Sequence, residues 1–415
     1  MPSRAVRALT VVLVLAALTS TTATAHAATS LRLAGTLPER EWRILQAVQT
    51  AGLTERLIQI AADTNGHVTV AGLWFIYDEA PVDSTPLIQA YLWDLVQAAF
   101  AAVPSLDEID LTGVQPAETP IEINRMQVVF SAAISHEEFL HALGALSVGE
   151  RFASLPRVWL LHETSRSSTP GATASPLQPP IAGDIYHGDL SRQAVAMTFD
   201  DGPFPIYTTL LLDTLERLGV KATFFLVGQQ VRSYPYFARA IVSAGHEVAN
   251  HTYHHRNLTL LAPPQVLEEI ARAQDTITAV TGQVPRYFRP PGGNYNATVL
   301  SAVHQLGLVT VFWTANSADY TNLEPRALEG RVLAHLSNGG ILLFHQGMNN
   351  TIRTLPHMTQ ILRSRGYAIT TVGDVVAARP EPGYRGPAAA AKSMNPRATS
   401  VPTNSTPTRS PTSRP

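Results

Sequence analysis

The spacing of apolar and polar residues divides the chain into two regions of regular structure. The first, residues 31–163, alternates helical spacing with β-rich runs. The predicted elements are helices over Glu39–Ala62 and Thr85–Val103, strands over His67–Tyr77 and Gln127–Ala133, and a further helix near Ser135. Ser135 and Glu138 have the three-residue spacing of a capping box. The pattern predicts a small α+β domain, and its sequence carries no chemical signature that we can interpret.

The second region, residues 181–378, repeats a unit in which a helical segment precedes a short apolar run. The units are Thr209–Leu218 with Ala222–Val227, Tyr236–Ala244 with His246–Ala249, the helix Pro264–Val280, Ala297–Leu306 with Val309–Trp313, Ala327–Leu336 with Gly340–Phe344, and His357–Arg365 with Ala368–Thr371. Repeated helix and strand units predict an α/β fold, with a parallel sheet or barrel. Active sites of such folds lie at the carboxyl ends of the strands.

The N-terminal segment has the pattern of a secretory signal peptide. Arg4 and Arg7 precede the apolar run Ala8–Leu18, and small residues lead to Ala27. We expect residues 1–27 to be cleaved after Ala27, with a retained anchor as the alternative. The apolar run is shorter than the ~20 residues that span a bilayer, so no stable membrane span is expected after cleavage. The mature protein is expected to be secreted or associated with the cell envelope.

Two further segments lack the apolar residues that build a core. Residues 164–180 are rich in Ser, Thr, Pro, Ala and Gly, and we expect a linker between the two domains. Residues 379–415 have a similar composition with added Arg, which predicts a disordered tail.

Composition narrows the chemistry that is possible. Of the 415 residues, 45% are hydrophobic and 15% are charged, which is enough for a sizeable core. The formal net charge of -2 gives no electrostatic case for a nucleic-acid partner. Because the chain has no cysteine, any metal must be held by His, Asp or Glu. Protein partners are left unknown.

The most informative stretch is a buried run that ends in two adjacent carboxylates. Val195–Phe199 predicts a short strand, and Asp200 and Asp201 follow it directly, before Gly202. Successive strand residues point in opposite directions, so the two aspartates suit separate tasks. One task is to bind a metal and the other is to accept a proton. The alternative is an ordinary polar turn.

Three other groups in this region suit the same chemistry. His251 and His255 stand four residues apart, so on a helical turn they share a face and can bind one metal, whereas His254 lies off that face. Arg289 precedes two prolines and two glycines, a rigid loop suited to holding a carboxylate. His345 ends a buried strand and is a candidate general acid. The alternatives are a solvated histidine pair, a solvated arginine and a core histidine.

These residues form a recognisable series. The motifs are Thr198-Phe-Asp-Asp-Gly-Pro203, His251-Thr-x-x-His255, Arg289-Pro-Pro-Gly-Gly293, Trp313-x-x-Asn-x-x-Asp-Tyr320 and Ile341-x-Leu-x-His345. In this order, the second region resembles the polysaccharide deacetylase family, carbohydrate esterase family 4. The resemblance covers about half of the chain. It implies a distorted (β/α) barrel, here preceded by the smaller α+β domain.

The resemblance also implies a role for each residue of the series. It implies a divalent metal, commonly zinc, with cobalt, manganese or nickel as alternatives, bound by Asp201, His251 and His255. The other implied roles are Asp200 as general base, His345 as general acid, Arg289 orienting the base, Asp319 supporting the acid, Gly292 donating a backbone N–H to the oxyanion, and Leu343 lining the pocket for the acetyl methyl. The chain departs from the family at Asn316, Gly292 and Tyr320. Tyr320, where many members carry Trp, is expected to contact the substrate.

The expected activity is removal of N-acetyl groups from an acetylated polysaccharide that contains N-acetylglucosamine, such as peptidoglycan or a chitin-like glycan. Three alternatives stay open. They are an esterase for O-acetyl groups of xylan, a non-catalytic glycan-binding module of the cell wall, and a non-haem iron oxygenase, which uses the same ligand set.

Overall fold

The computed structural model describes residues 37–77, 85–115, 127–144, 148–160, 183–321 and 323–377. The predicted signal peptide, linker and tail lie outside these residues. The described residues contain two sheets within one compact unit. No helix among them is both long and apolar enough to cross a bilayer.

Residues 37–160 build a five-stranded sheet with helices on one side. The elements are α1 (Glu39–Thr50), β1 (Leu57–Thr64), β2 (Thr69–Ile76), α2 (Thr85–Ala102), β3 (Glu108–Val114), β4 (Val128–Ser135), α3 (His136–Ala142), α4 (Val148–Ala153) and β5 (Val158–Leu160). The strands lie in the order β1-β2-β3-β4-β5. Only β2 and β3 run parallel, and the other neighbours are antiparallel. The predicted capping box is confirmed, since the Ser135 side chain accepts from Glu138 N–H at 3.2 Å and the Glu138 carboxylate accepts from Ser135 N–H at 2.7 Å.

One predicted helix in this region is wrong over its second half. The helix expected over Glu39–Ala62 ends at Thr50, and Leu57 begins a strand instead. Gly52, with φ 72°, follows the helix end, where a left-handed residue is common. The strand then pairs with β2 as a hairpin, and these tertiary contacts override the helical spacing of Leu57 and Ile60. The sequence had predicted no element for β3.

Residues 183–377 form a partly closed barrel of parallel strands surrounded by helices, which confirms the predicted fold class. The strands are β6 (Ala194–Asp200), β7 (Thr223–Leu226), β8 (Glu247–Asn250), β9 (Tyr287–Phe288), β10 (Val309–Thr310), β11 (Ala315–Asn316), β12 (Gly340–His345) and β13 (Ala368–Thr370). They lie in the order β10-β9-β8-β7-β6-β12-β11, with β13 beside the first half of β6. The helices are α5 (Tyr207–Leu218), α6 (Gly228–Ser233), α7 (Pro235–Ser243), α8 (Pro263–Thr281), α9 (Ala297–Gln305), α10 (Pro325–Leu333), α11 (Asn349–Ser364) and α12 (Val372–Val376).

Strand alternation decides what the central strand β6 presents to each side. Val195, Met197 and Phe199 pack outward into the core shared with the surrounding helices. Ala194 and Ala196 face inward, where α12 packs against them. By the same alternation Thr198 and Asp200 face inward at the carboxyl end of the strand. The barrel therefore opens at this end onto polar side chains.

Helix α11 begins earlier than the sequence predicted. The sequence predicts a start at His357, directly after Pro356, a residue that removes a backbone donor and disfavours a helix interior. The helix instead runs from Asn349 through Pro356. Apolar side chains on both sides of the proline, including Ile352, Leu355 and Met358, are buried in the core. Their burial outweighs the cost of the proline.

Candidate active site

The carboxyl ends of the parallel strands β6, β8, β9 and β12 bring the predicted residues to one edge of the barrel. Asp200 and His345 are the last residues of β6 and β12 and are register partners. On the other side of β6, Asp200 pairs with Phe225 of β7. Because parallel strands end together, the base and acid candidates lie at the same edge of the sheet.

The predicted metal ligands lie together. Asp201 Oδ1 is 3.4 Å from His251 Nε2 and 3.1 Å from His255 Nε2. Among the described residues, these three atoms could together hold a metal ion, and all lie within 4.8 Å of one another. Asp201 has φ 80°, a left-handed conformation that turns the chain out of the strand. Burial raises the pKa of Asp201, but the two imidazoles outweigh it, and the pKa of this carboxyl lies well below its usual value.

The donor atoms fit a metal ion better than they fit one another. Asp201 Oδ1 is buried and makes no hydrogen bond to another described residue. The Nδ1 of His251 lies 2.7 Å from the Arg289 carbonyl, which can only accept, so Nδ1 carries the proton. In the neutral tautomer that this bond selects, Nε2 of His251 carries the lone pair and faces Asp201. An orphaned carboxylate oxygen beside a free imidazole lone pair is the arrangement that a cation satisfies.

The two histidines meet through a turn and not through the helix that the sequence predicted. Residues 251–255 are not helical, and Thr252 and His255 have φ of 67° and 56°. The turn is held at both ends: Thr252 N–H donates to Asn250 Oδ1, and His255 N–H donates to Thr252 Oγ1. The ring centroids of His251 and His255 are 5.0 Å apart. His254 points elsewhere and bonds to Glu269 at 2.6 Å, as expected of a neighbour that is not a ligand.

Asp200 is held by the arginine that the sequence singled out. Arg289 is fully buried, and its Nη1 donates to Asp200 Oδ1 at 2.7 Å and to Thr198 Oγ1 at 2.9 Å. Its other nitrogens donate to the carbonyls of Val311 and Phe312. The second oxygen of Asp200 lies 3.8 Å from His251 Nε2. One carboxylate oxygen is thus fixed, while the other faces the ligand cluster.

His345 is fixed by Asp319. Its Nδ1 donates to Asp319 Oδ1 at 2.7 Å, and its backbone N–H donates to Asp319 Oδ2 at 2.8 Å. Thr351 also donates to Asp319 Oδ2. Burial opposes a charged imidazole, but the bond to Asp319 and the charge of Asp319 outweigh burial and raise the pKa of His345 to about 9. Burial raises the pKa of Asp319, but the bonds and charge of His345 and the bond from Thr351 outweigh burial, so the net shift of this pKa is downward.

The three remaining residues lie around this edge. Leu343 is buried two residues before His345, so both side chains point to the same face of β12. Tyr320 is 56% exposed, and its ring meets the His345 ring edge-on at 5.3 Å. Gly292 lies on the loop after Arg289, exposed and with φ 62°. Asn316, one of the departures from the family, accepts from Ala318 N–H and shapes the loop before Asp319.

Three threonines support the site but were not predicted from the sequence. Thr198 holds Arg289, Thr252 holds the histidine turn, and Thr351 holds Asp319. Thr198 and Thr252 lie inside the motifs, so their place beside the acids and histidines was a signal. Thr351 lies in α11, where nothing in the local sequence marks it.

Comparison with known proteins agrees with this geometry. The family model for polysaccharide deacetylase matches residues 187–311. A chitooligosaccharide deacetylase of Bradyrhizobium is 34% identical over 199 residues, which are 44% of this chain and 91% of the relative. A peptidoglycan-N-acetylglucosamine deacetylase of Bacillus cereus is 30% identical over 191 residues, 45% of this chain and 89% of the relative. The matched share of other curated relatives is smaller, at 60% and 39% of their length.

Solved structures include a relative without activity. The crystal structure of a pseudoenzyme of carbohydrate esterase family 4 from Bacillus anthracis is 31% identical, covers 48% of this chain and 69% of that chain, and has a TM-score of 0.45. With a relative that is 34% identical and matched over nine-tenths of its length, this chain belongs to the polysaccharide deacetylase family, carbohydrate esterase family 4.

Proposed function

We propose that this chain is a metal-dependent hydrolase that removes N-acetyl groups from polysaccharides containing N-acetylglucosamine, such as peptidoglycan or chitin-like glycans. The observation that carries the proposal is that the two adjacent aspartates have different partners. Asp201 faces two imidazole nitrogens, while Asp200 lies beside them, held by Arg289. The named relatives act on peptidoglycan and chitooligosaccharides, which supports this substrate class.

Asp201, His251 and His255 would hold the metal. Two imidazoles and one carboxylate leave coordination positions open, as catalytic zinc requires, and these nitrogen and oxygen ligands also accept cobalt, manganese or nickel. When bound, the metal supplies a polarised acetyl carbonyl and a water of lowered pKa.

Asp200 is the general base in this proposal. Its Oδ1 is occupied by Arg289, so Oδ2, on the side of His251, is the oxygen that takes the proton from the attacking water. The water oxygen bonds to the acetyl carbon, and the carbonyl oxygen becomes an oxyanion. The Gly292 N–H is our candidate donor to that oxyanion.

His345 is the general acid. Its Nδ1 is committed to Asp319, so Nε2 gives the proton to the leaving nitrogen as the C–N bond breaks. The products are acetate and a free amine. In the metal-free protein, Asp319 raises the pKa of this imidazole to about 9, which favours the protonated form that an acid needs. Leu343, on the same strand face, is placed to contact the acetyl methyl, and exposed Tyr320 is placed to contact the sugar.

Acetate release from chitooligosaccharides, peptidoglycan and acetylxylan, with and without a chelator, tests the proposal. We expect release from the first two, loss with chelator and recovery with zinc. Release from acetylxylan alone would assign the O-acetyl esterase alternative, and dependence on oxygen would assign an oxygenase. No release from any substrate by zinc-loaded protein would favour a non-catalytic glycan-binding module.

Variants separate the two aspartates. Asp200→Asn should abolish turnover while zinc still binds, because only the base is lost. His251→Ala should weaken zinc binding itself. His254→Ala is the matched control, since His254 is in the same turn but bonds to Glu269. Near-normal turnover by Asp200→Asn would refute the assignment of the base.

Cell fractionation tests the expected location. Under the proposal, the protein is found outside the cytoplasm, secreted or in the cell envelope.

A further inference from the structure

On one face of the first sheet, the central strand β3 presents polar side chains that are nevertheless fully covered. In β3, Ile109 and Leu111 point to the helices of residues 37–160 and join their core. Glu108, Asp110 and Thr112 point the other way by strand alternation. A polar strand face normally meets water. These three side chains instead are 5%, 1% and 1% exposed, because the barrel helices cover them.

Each of the three polar side chains bonds to the barrel region. Asp110 Oδ2 accepts from Ile206 N–H at 2.5 Å. Glu108 Oε1 accepts from Thr209 Oγ at 2.6 Å, and Thr112 pairs with the Tyr234 hydroxyl at 3.5 Å. The three side chains therefore bond in turn to α5, to the loop after β6 and to the residue before α7.

The backbone N–H that donates to Asp110 belongs to Ile206, whose backbone conformation is strained. Ile206 has φ 65° and ψ -61°, and Tyr207 N–H donates to the Pro205 carbonyl at 2.7 Å. These values define a γ-turn with a positive φ, which is rare and strained, above all for a β-branched residue. The Ile206 side chain is itself buried in a core that includes Val70 of β2. Residues 37–160 thus hold this turn through both its N–H and its side chain.

The strained turn is tied closely to the site. Only four residues separate Ile206 from Asp201, and two of them are prolines. A short loop with fixed φ at Pro203 and Pro205 transmits a displacement of one end to the other. The position of Ile206 therefore limits where the Asp201 carboxylate can lie.

A second contact joins residues 37–160 to the segment that follows β12, the strand that ends at His345. The Asn349 side chain donates to both carboxylate oxygens of Asp63, at 2.6 and 2.5 Å. Asp63 belongs to β1, and Asn349 begins α11 four residues after His345. Residues 37–160 therefore contact the segments that follow both β6 and β12.

We propose that residues 37–160 are a built-in positioning element of the active site, and that Asp110 is a positioning residue that holds the Ile206 turn and, through it, Asp201. Asp110 touches neither the metal ligands nor the substrate. That the site binds a metal rests on the proposed function. The contact between Asp110 and the Ile206 turn does not depend on it.

Zinc affinity of the full chain, measured by chelator competition, tests this role. Asp110→Ala removes the acceptor and should weaken zinc binding about tenfold, the lower end of the effect of losing a partner that orients a ligand. Asp110→Asn keeps an acceptor oxygen and should retain most of the affinity. Burial and neighbouring Glu108 raise the pKa of Asp110, so asparagine also resembles its uncharged form.

Thr112→Val is the matched control. Thr112 lies on the same strand face two residues away, but its partner is Tyr234 and not the loop. This variant should loosen the interface to a similar extent without changing zinc affinity. Hydrogen exchange of the Ile206 amide gives a second readout, faster in Asp110→Ala than in the control, whether or not the protein hydrolyses any polysaccharide.

A folded Asp110→Ala variant with wild-type zinc affinity and wild-type exchange at Ile206 would overturn the proposal. An equal loss of affinity in Thr112→Val would overturn it too, since it would show a general loosening. Should the alanine variant not fold, Asp110→Ser serves the same comparison, because its shorter side chain does not reach Ile206 N–H. If the wild-type chain bound no zinc, the proposed function would fail, and exchange at Ile206 would still test the hold on the turn.

Discussion

The pairing of His345 with Asp319 leads to a prediction about the protonation of the general acid. His345 is 16% exposed, and it donates to a carboxylate that is itself buried. Replacing Asp319 by asparagine keeps an oxygen near Nδ1 but removes the negative charge. The loss of that charge should make the imidazolium much less stable.

The structure sets the size of the effect. A pKa of about 9 in place of 6.5 corresponds to about 3 kcal/mol in favour of the imidazolium. The bond to Asp319 and its charge are the largest favourable causes, and Asp200 and Asp201 add smaller ones. An opposite charge at this distance shifts a pKa by about 1–3 units, so we expect Asp319→Asn to lower the pKa of His345 by about two units.

The assay is a pH titration of the metal-free protein by NMR of ¹⁵N-labelled histidine. Metal-free protein is the proper sample, because a bound cation would itself lower the pKa of His345. Glu329→Gln is the matched control, since Glu329 bonds to His357 in the same way but away from the site. The pKa of His345 should not change in that variant. A pKa near 9 in Asp319→Asn would refute the reasoning.

Stability should follow the same linkage. Because the folded pKa of His345 lies above 6.5, its contribution to folding is fully present below pH 6.5 and is lost as the pH rises through about 9. The difference in unfolding free energy between wild type and Asp319→Asn, measured with denaturant in metal-free protein, should therefore shrink across that range. A difference that grows with pH would contradict the sign.

Three further predictions concern the residues that support the site. Thr252→Val removes the acceptor for His255 N–H, so zinc affinity measured by chelator competition should fall about tenfold, and unchanged affinity would argue against the role of the turn. Thr198→Val removes one partner of Arg289 Nη1, at a cost of about 1–3 kcal/mol for an unsatisfied buried donor, so kcat should fall at least fivefold while zinc affinity is kept. Gly293→Ala places a Cβ about 2.7 Å from the Trp313 ring at φ 71°, so the melting temperature should fall by several degrees, and an unchanged value would show that the loop can move.

Much of the site could be predicted because its chemistry lies in short motifs at strand ends. Asp200 and Asp201 follow an apolar run, and His345 ends another, so the sequence alone placed them at one edge of a parallel sheet. The proximity of His251 and His255 was predicted correctly, but for the wrong reason. The left-handed Thr252 is held by the bond that its N–H donates to Asn250 Oδ1, and Asn250 is itself held by the Ile270 carbonyl of α8, which residue spacing does not reveal.

The first region was harder to predict, because its sequence patterns are ambiguous. The apolar spacing of Leu53, Leu57 and Ile60 is typical of a helix, and the pairing with β2 makes residues from Leu57 onward a strand instead. The alternation of Glu108, Asp110 and Thr112 resembles a strand face that meets water. Only the fold shows that α5 and the segment before α7 cover that face.

Two adjacent aspartates acquire different roles here because the strand ends between them. Asp200 keeps the extended conformation of β6 and points inward to Arg289, whereas Asp201 turns out of the strand with φ 80° toward the histidines. An arginine cation lies beside the first carboxylate and two imidazole nitrogens lie beside the second, so the two carboxylates have different partners. Because the turn at Ile206 ends the same loop, the separation of the two carboxylates depends on backbone geometry that residues 37–160 help to hold. Under the proposal above, this dependence is how residues 37–160, which place no chemical group at the site, influence its chemistry.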